Sequence, residues 1–308
     1  MHVLVTGGAG FIGANLCRAL GAAGHQATAF DDLSTGSSDN LDGTAVELLV
    51  GSILDVDAIN AAAEHVDAVV HLAALPSVPR SVSEPVASHL ANATGTVNVL
   101  EAARRDGGRH VVTAGSSSVY GANPVLPKHV DLATRPISPY AASKLAAEAY
   151  TLAYGHSYDL PTLSFRFFNV YGPLQPAGHA YAAAIPAFID AALRDQPIPV
   201  FGDGRQSRDF TFVDTVTGVI VDALERRLTN DDPMNLAFGT RTSLLSVIES
   251  IGQILDTELP IDFKPTRPGD VPHSQADSTP VSHLFPNVSP TSLDDGLRAT
   301  VEWMQQAR

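Results

Sequence analysis

The sequence predicts an α/β fold: a Rossmann-type doubly wound parallel sheet with a smaller mixed α/β C-terminal lobe. Three observations carry this. Short apolar runs alternate with helical patterns through the first half of the 308 residues, which specifies a parallel sheet covered on both faces. The glycine-rich stretch Gly7-Gly8-Ala9-Gly10-Phe11-Ile12-Gly13 directly follows the first apolar run. Beyond Gly172, proline and glycine become frequent (Pro173, Pro176, Pro186, Pro197, Pro199, Gly202, Gly204) and the alternation breaks.

Taken in order, residues 2–6 read as a strand, 11–23 as a helix and 26–30 as a strand. Strands follow at 46–50 and 68–73, with a helix at 56–64 between them. Next come a helix at 92–105, a strand at 110–114, a helix at 140–154 and a strand at 163–169. Residues 209–237 return to strand-helix-strand and are expected to rejoin the sheet, while 239–308 read as a small mixed lobe. The expected division is therefore 1–170 plus about 209–237 for the first domain, and 171–208 plus 238–308 for the second. No internal repeat or low-complexity tract interrupts it.

A hydrophobic content of 44% with 17% charged residues is that of an ordinary globular protein. The formal net charge of −14 argues against a nucleic-acid partner, because a polyanion would be repelled. An anionic small molecule would then need a local cationic patch. Lysine is rare, with Lys128, Lys144 and Lys264 the only three among nineteen basic residues. The single cysteine, Cys17, excludes an intrachain disulfide and any multi-cysteine metal site, and the eleven histidines show no metal-ligand spacing. Strand-like sequence begins at His2 and no apolar run approaches membrane-spanning length, so the chain reads as cytoplasmic, with no membrane partner and no metal.

The glycines at 7, 10 and 13 permit a tight turn and close backbone approach to a pyrophosphate seated on a helix N-terminus. The second strand ends in Asp31-Asp32. A carboxylate there accepts hydrogen bonds from a ribose and repels a 2′-phosphate, which favours NAD over NADP. Tyr140 and Lys144 stand four residues apart in Ser-Pro-Tyr-Ala-Ala-Ser-Lys, about twenty residues after Ser116, Ser117 and Ser118. On a helix the i,i+4 spacing places both on one face. An ammonium beside a phenol favours the phenolate, so the tyrosine pKa is expected to fall towards neutrality, where the group serves as a general base on a sugar hydroxyl.

Together with Asp31 to Gly36, His71 to Ala74, Ser116 to Gly121, Arg166 to Pro173, Phe201 to Phe210 and Arg267 to Asp270, these motifs resemble the extended short-chain dehydrogenase/reductases. Within that superfamily the chain resembles the NAD-dependent nucleotide-sugar 4-epimerases over essentially its full length. The resemblance implies that Tyr140 takes the proton from the sugar 4-hydroxyl while C4 passes a hydride to NAD. Lys144 would hold the nicotinamide ribose, Ser116 would bridge the 4-oxygen and Tyr140, and Ser117 would support it. It implies a cofactor site of Gly7, Gly10, Phe11, Ile12, Gly13, Asp31, Asp32, Ser34, Thr35, Gly36, Ser52, Ile53, Leu72, Ala73, Ala74, Asn92, Tyr140, Lys144 and Phe167. The implied substrate site, largely in the second lobe, comprises Ser77, Ser116, Ser118, Tyr140, Asn169, Ala183, Arg208, Arg267, Asp270 and Ser274. Arg208 and Arg267 would clamp the phosphates, because a guanidinium suits bidentate phosphate binding.

Finer features bear on the reaction and the sugar. The family's 4,6-dehydratases carry Asp-Glu at the positions of Ser117 and Ser118, and its glucuronate decarboxylases carry glutamate at the Ser118 position; a serine cannot titrate for that work. Residues 74–81, 180–186 and 273–277 resemble the branch acting on UDP-N-acetylhexosamines, where a small residue at Ser274 leaves room for an N-acetyl group. Two departures stand against the pattern: Ser52 replaces the usual aspartate near the adenine, and Pro76 stands where close relatives carry glycine. The expected reaction is 4-epimerisation of UDP-GlcNAc/UDP-GalNAc, with UDP-Glc/UDP-Gal as further substrates. The alternatives are a UDP-glucose- or UDP-glucuronate-specific 4-epimerase and a non-catalytic dinucleotide sensor, which would not keep an intact Tyr/Lys/Ser set. The helices at 92–105 and 140–154 match those that relatives pair into an intersubunit four-helix bundle, so a homodimer is expected.

Overall fold

The computed structural model describes residues 1–105, 107–177, 183–266 and 272–307. Its centre is a seven-stranded all-parallel sheet, built from β1 (His2–Thr6), β2 (Gln26–Asp31), β3 (Glu47–Val50), β4 (Ala68–His71), β5 (His110–Ser116), β6 (Thr162–Phe167) and, late in the chain, residues Met234–Leu236. The spatial order runs from Met234–Leu236 through β6, β5, β4, β1 and β2 to β3. The chain leaves β1 towards β2 and β3, then returns to place β4 on the other side of β1. That reversal makes a crevice at the carboxyl ends of β1 and β4, where Thr6 pairs with His71, and in open α/β sheets ligands bind at such a crevice.

The helices on the two faces are α1 (Phe11–Ala22), α2 (Val56–Ala62), α3 (Val78–Ser83), α4 (Pro85–His89), α5 (Gly95–Arg105) and α6 (Pro139–Tyr158). Local chemistry sets their starts. Asp55 caps α2 by accepting from the Asp57 and Ala58 amides at 3.1 Å each. Ser138 caps α6 by accepting from the Ala141 amide at 3.1 Å, with Pro139 at the first helical position. Helix α1 has only Gly10 as its cap, with no side-chain hydrogen bond, so its first amides are left for something else.

Four boundaries differ from the sequence expectation, each for a local reason. The strand expected through Ala73 stops at His71, because the Ala73 amide turns from the ladder to the Thr6 hydroxyl at 3.4 Å. The helix expected to open at Asn92 is the end of a longer run: α3 and α4 precede it, and Leu90–Thr94 forms a π-helical turn leading into α5. The strand expected at 163–169 divides at Phe168 into β6 and the short β7 (Asn169–Tyr171). Finally, residues 209–237 rejoin the large sheet only at their end, since Phe210–Phe212 pairs with β7 in a separate two-stranded sheet.

The remainder comprises α7 (Ala184–Leu193), β8 (Ile198–Phe201), β9 (Ser207–Arg208), β10 (Phe210–Phe212), α8 (Val213–Glu225), β11 (Met234–Leu236), β12 (Thr242–Ser243), α9 (Leu244–Leu255), β13 (Ile261–Lys264), α10 (Thr279–Leu284) and α11 (Leu293–Gln306). Side chains of α1, α8 and the sheet form one core, and those of α2, α5 and the other sheet face a second. A further core gathers Ile185, Ile189, Ile198, Val247, Ile251 and Leu297 from α7, β8, α9 and α11. Cys17 is wholly buried on α1, and burial pushes its thiol up to about 12, which leaves it an inert core residue.

One ionic contact ties α6 to the sheet. Arg166 of β6 donates from Nε and Nη2 to the two oxygens of Glu148 on α6, both at 2.8 Å, with each side chain 4% exposed. Gly115 of β5 makes room for it: a Cβ there would meet the Phe165 carbonyl at 2.8 Å and Glu148 Oε2 at 3.5 Å. Removing one partner of a buried pair strands the other's charge. Glu148→Gln is therefore expected to destabilise the fold by about 3 kcal/mol or more, whereas Glu148→Leu combined with Arg166→Met recovers much of that loss. Denaturant unfolding of wild type and the two variants checks this, and a Glu148→Gln variant as stable as wild type would remove the pair from its structural role.

Candidate active site

The crevice at the ends of β1 and β4 is lined by backbone. Gly7 adopts φ +70°, and a Cβ on it would lie 2.7 Å from the Ala73 amide nitrogen. A Cβ on Gly13 would run into the Gly7 carbonyl, and one on Gly36 would lie 2.8 Å from the Ala9 carbonyl carbon. The loops 7–13, 34–36 and 72–74 are thus packed so closely that no side chain fits at Gly7, Gly13 or Gly36. The start of α1, with Phe11 and Ile12, opens onto the same place.

Asp31 ends β2 and is buried; its Oδ2 accepts from the Ala9 amide at 3.0 Å and its Oδ1 from the Leu33 amide at 2.9 Å. Burial raises its pKa, and those amides oppose the rise. Each oxygen retains a second lone pair, the capacity a ribose diol needs. Asp32 is exposed and accepts from the Ser34 amide and hydroxyl at 2.9 and 2.5 Å. Thr35 is exposed next to them. Ser52 accepts from the Leu54 amide at 3.3 Å, and Ile53 is buried, its carbonyl accepting from Asn98 at 2.9 Å. The cradle, the two-amide carboxylate and the uncapped α1 fit a dinucleotide.

His71 forms the floor. The Thr96 hydroxyl donates to the Asn92 carbonyl at 2.6 Å and so accepts from His71 Nε2 at 2.9 Å. Nδ1 is then the acceptor and takes the Thr6 hydroxyl at 2.7 Å. Burial, with Lys144 as a nearby like charge, lowers the imidazole to about 3 and keeps it neutral. Asn92 sits in the π-helical turn and clasps the loop after β4: its Oδ1 accepts from the Leu75 amide at 2.7 Å, while Nδ2 donates to the Leu75 carbonyl at 3.2 Å and to Ser143 Oγ at 3.0 Å. In the loop so held, Ser77 adopts φ +96° and caps α3. Such a backbone costs a non-glycine residue about 1–3 kcal/mol and marks a place where the surroundings dictate the chain's path.

Beside this floor lies a cleft of about 260 Å3 lined by Ser116, Ser117, Ser118, Asn169, Arg208 and Ser274, six of the residues singled out from sequence. Tyr140 lies in the first turn of α6 with its phenol hydrogen-bonded to Ser116, whose Oγ is 2.8 Å from Ser118 Oγ. Asn169 donates to the Asp209 carbonyl at 3.3 Å, and Arg208 donates to the Ser207 and Pro272 carbonyls at 3.0 and 3.2 Å. The Ser274 amide donates to the Ser207 carbonyl at 3.0 Å. Phe167 ends β6, buried opposite Ser116. Ala183 stands apart, exposed at the cap of α7, and Arg267 and Asp270 lie outside the described residues.

One expectation is corrected. Tyr140 is not brought towards neutrality by Lys144: desolvation raises its pKa, and the opposing influence is the Ser116 hydrogen bond. Lys144 is itself buried, which lowers it to about 8, and its charge interacts with Glu148 one turn on. The i,i+4 spacing does put both residues on one helix, but burial of the phenol outweighs the neighbouring ammonium.

Sequence reasoning also missed the framework around the cleft. Asp209, fully buried, accepts from the Gly239 and Ala276 amides at 3.1 and 2.9 Å and from the Thr240 hydroxyl at 2.9 Å, so it knots three loops behind Arg208. Arg166 lies over the Tyr120 ring at 4.8 Å; Tyr120 donates to Asn235 at 2.6 Å, and Asn235 donates to the Lys128 carbonyl at 2.7 Å. Lys128 and His273 also line the cleft. The available signals were the rarity of lysine and the glutamate four residues after Lys144.

Fold and site together define a dinucleotide-binding protein with a buried tyrosine beside a small polar cleft. Residues 3–237 match the model of the NAD dependent epimerase/dehydratase family. The chain belongs to that family, and it is an NAD-dependent enzyme of the isomerase class. It is 37% identical to a UDP-glucose 4-epimerase of Mycolicibacterium smegmatis, over 99% of both chains. Its structure superposes with a TM-score of 0.94 on a UDP-N-acetylglucosamine 4-epimerase from Methanobrevibacter ruminantium, solved with UDP-N-acetylmuramic acid, at 33% identity and covering 100% and 99% of the two chains. A UDP-glucuronic acid 4-epimerase from Bacillus cereus, solved with UDP-glucuronic acid and NAD, superposes at 0.90 with 31% identity, covering 100% of both.

The neutral His71 makes stability depend on pH. Its folded pKa of about 3 lies below the ordinary 6.5, so below pH 6.5 the unfolded chain takes up a proton that the folded one refuses. The contribution is fully present above 6.5 and is lost as pH falls towards 3, by up to about 1.4 kcal/mol per pH unit. His71→Gln is expected to flatten the slope of unfolding free energy between pH 6.5 and 5 by up to that amount. Denaturant titrations across this range measure it, and parallel slopes for wild type and variant would refute it.

Proposed function

We propose that the chain is a UDP-sugar 4-epimerase acting on UDP-GlcNAc/UDP-GalNAc, and also on UDP-Glc/UDP-Gal, through transient oxidation at C4. The observation that carries the reading is the Tyr140 phenol on Ser116 at a cleft whose neighbouring positions, Ser117 and Ser118, hold no acid. Elimination of water or of carbon dioxide needs a titrating group there, and moving a hydride out and back does not. Ser274 supports the acetamido sugar, because its short side chain leaves space beside C2.

Tyr140 takes the proton of the C4 hydroxyl, with Ser116 holding the oxygen and stabilising the phenolate. When bound, NAD would supply a reversible hydride acceptor for C4, so the cycle would have no net redox change. The raised pKa of Tyr140 suits the second half, in which the phenol returns its proton to the 4-oxygen. Lys144 holds the nicotinamide ribose. Asn169, Arg208 and Arg267 grip the diphosphate while the 4-keto sugar turns over, which keeps the intermediate from escaping. Residues 171–208 and 238–308 serve as the substrate-binding lobe.

The protein is further proposed to be a cytoplasmic homodimer. No described helix is long and apolar enough to cross a membrane. Val86, Leu90 and Tyr150 are exposed at 69%, 41% and 47% on the α4–α6 side, an apolar surface suited to a second copy. Sedimentation of wild type beside Val86→Asp is expected to show a dimer and a dissociated variant; a monomeric wild type would remove the dimer.

The decisive assay offers purified protein, with no NAD added, UDP-GlcNAc, UDP-Glc and UDP-GlcA separately, and quantifies the C4 epimers. UDP-GlcNAc is expected to turn over. Epimers from none of the three would refute the reading, and turnover of UDP-GlcA alone would reassign the sugar. Tyr140→Phe is expected to lower the rate by about 10^3-fold with NAD still bound. A variant of near wild-type rate would exclude Tyr140 as the acid-base group.

A further inference from the structure

Lys128 takes no part in the reaction above, yet it lines the cleft. It is only 4% exposed, and its ammonium donates to the Asn123 carbonyl. Among the described residues no carboxylate pairs with it; burial pulls its pKa down and no neighbouring charge opposes the fall. An ammonium carries three donors, so two protons remain without a partner. A buried cation in that condition is costly unless something arrives to pair with it. Of the other buried charges nearby, Arg166 is paired with Glu148 and Asp209 with three donors, while Lys144 is the cation proposed above to hold the nicotinamide ribose.

The place of Lys128 is fixed by its backbone. Its amide donates to the Gln275 carbonyl at 2.7 Å, the Asp277 amide donates to its carbonyl at 2.8 Å, and Asn235 holds the same carbonyl at 2.7 Å. Lys128 is thereby fastened to the segment directly after Ser274 and shares the cleft with Ser116 and Ser118. These neighbours belong to the glycosyl end of the site proposed above, on which this inference rests. We propose that Lys128 is a specificity-determining residue that receives a carboxylate borne by the glycosyl group of the UDP-sugar. A neutral hydroxyl or acetamide carbonyl would fill one donor and leave the charge uncompensated; a carboxylate answers both. In a chain of net charge −14, an acidic sugar also needs such a local cation to approach at all.

Two kinds of sugar present this chemistry: one with the carboxylate at C6 and one with it on a 3-O-lactyl ether. Calorimetry on the NAD-loaded protein, with UDP-GlcNAc as the neutral reference and UDP-N-acetylglucosaminuronate and UDP-N-acetylmuramate as the two acids, separates them. Wild type is expected to bind one acid more tightly than the neutral sugar. Lys128→Met is expected to cut that preference by about 10- to 100-fold, and the acid affected shows where the carboxylate sits. Equal affinity of wild type for all three would overturn the proposal. So would a variant that weakens acid and neutral sugar alike, since that marks a lysine that only holds the Asn123 loop. If the methionine variant does not fold, Lys128→Gln is read by the same criterion. Turnover measured on the same samples keeps the two readings apart: preferential binding of an acid with no epimer from any sugar overturns the epimerase assignment alone, and epimerised UDP-GlcNAc with no acid preference overturns Lys128 alone.

Discussion

The buried pair between Glu148 and Arg166 fastens the helix that carries Tyr140 and Lys144 to the sheet that forms the crevice. Two hydrogen bonds of 2.8 Å join α6 to β6, with both side chains withdrawn from water. Burial alone would pull the Arg166 pKa down, but the Glu148 carboxylate more than reverses this and the guanidinium stays charged. Lys144 lies one turn before Glu148 and Tyr140 one turn before that. The position of the phenol beside Ser116 is therefore set from behind, by an ion pair outside the proposed acid-base pair. On its other side the guanidinium lies over Tyr120, and through Asn235 the same chain of contacts reaches Lys128. A single desolvated contact thus links the Tyr140 end of the cleft to its opposite wall through Tyr120, Asn235 and the Lys128 carbonyl.

Charge is distributed to match. The protein as a whole is acidic, with a net −14, but the interior around the site holds Lys144, Arg166 and Lys128. Of the carboxylates at or near the site, Glu148 is committed to Arg166, Asp31 to two amides and Asp209 to three donors. Committed in this way, they hold loops in place and are poorly suited to act as acids or bases. His71 is kept neutral by burial between two threonines. The group proposed to move a proton is Tyr140, whose pKa burial holds high and the Ser116 contact lowers.

The parts of this arrangement legible in the sequence were those written in local patterns. Strand-helix alternation gave the sheet, Gly7 to Gly13 the crevice, and the Tyr140/Lys144 spacing a shared helix, because each depends on residues adjacent along one element. Three things were not legible. Spacing alone favours a depression of Tyr140 by Lys144, yet the outcome is a balance between desolvation and neighbours that only three-dimensional enclosure decides. The partnership of Arg166 with Glu148 joins residues eighteen apart on different elements, and that of Asp209 with Ala276 joins residues sixty-seven apart. Strand β10 reads like its neighbours but pairs with β7, since the chain turns at Phe168 before the large sheet can receive it.

In the proposed function, reaction and selectivity rest on different kinds of structure, and that separation follows from the energetics of the fold. Ser116 ends a central strand and Tyr140 stands in the first turn of a twenty-residue helix, elements held by regular backbone hydrogen bonding. Ser77, Lys128 and Ser274 stand on connecting segments, held by Asn92, Asn235 and the Ser207 carbonyl. A side chain on such a segment can change without disturbing a strand or helix, whereas a change at Ser116 or Tyr140 shifts the reacting oxygen itself. The same scaffold can therefore keep one proton-transfer geometry while the sugar it accepts is set by a few residues on the opposite wall. Of those, Lys128 differs in kind, because its buried charge asks for a particular partner while Ser274 only leaves room for one.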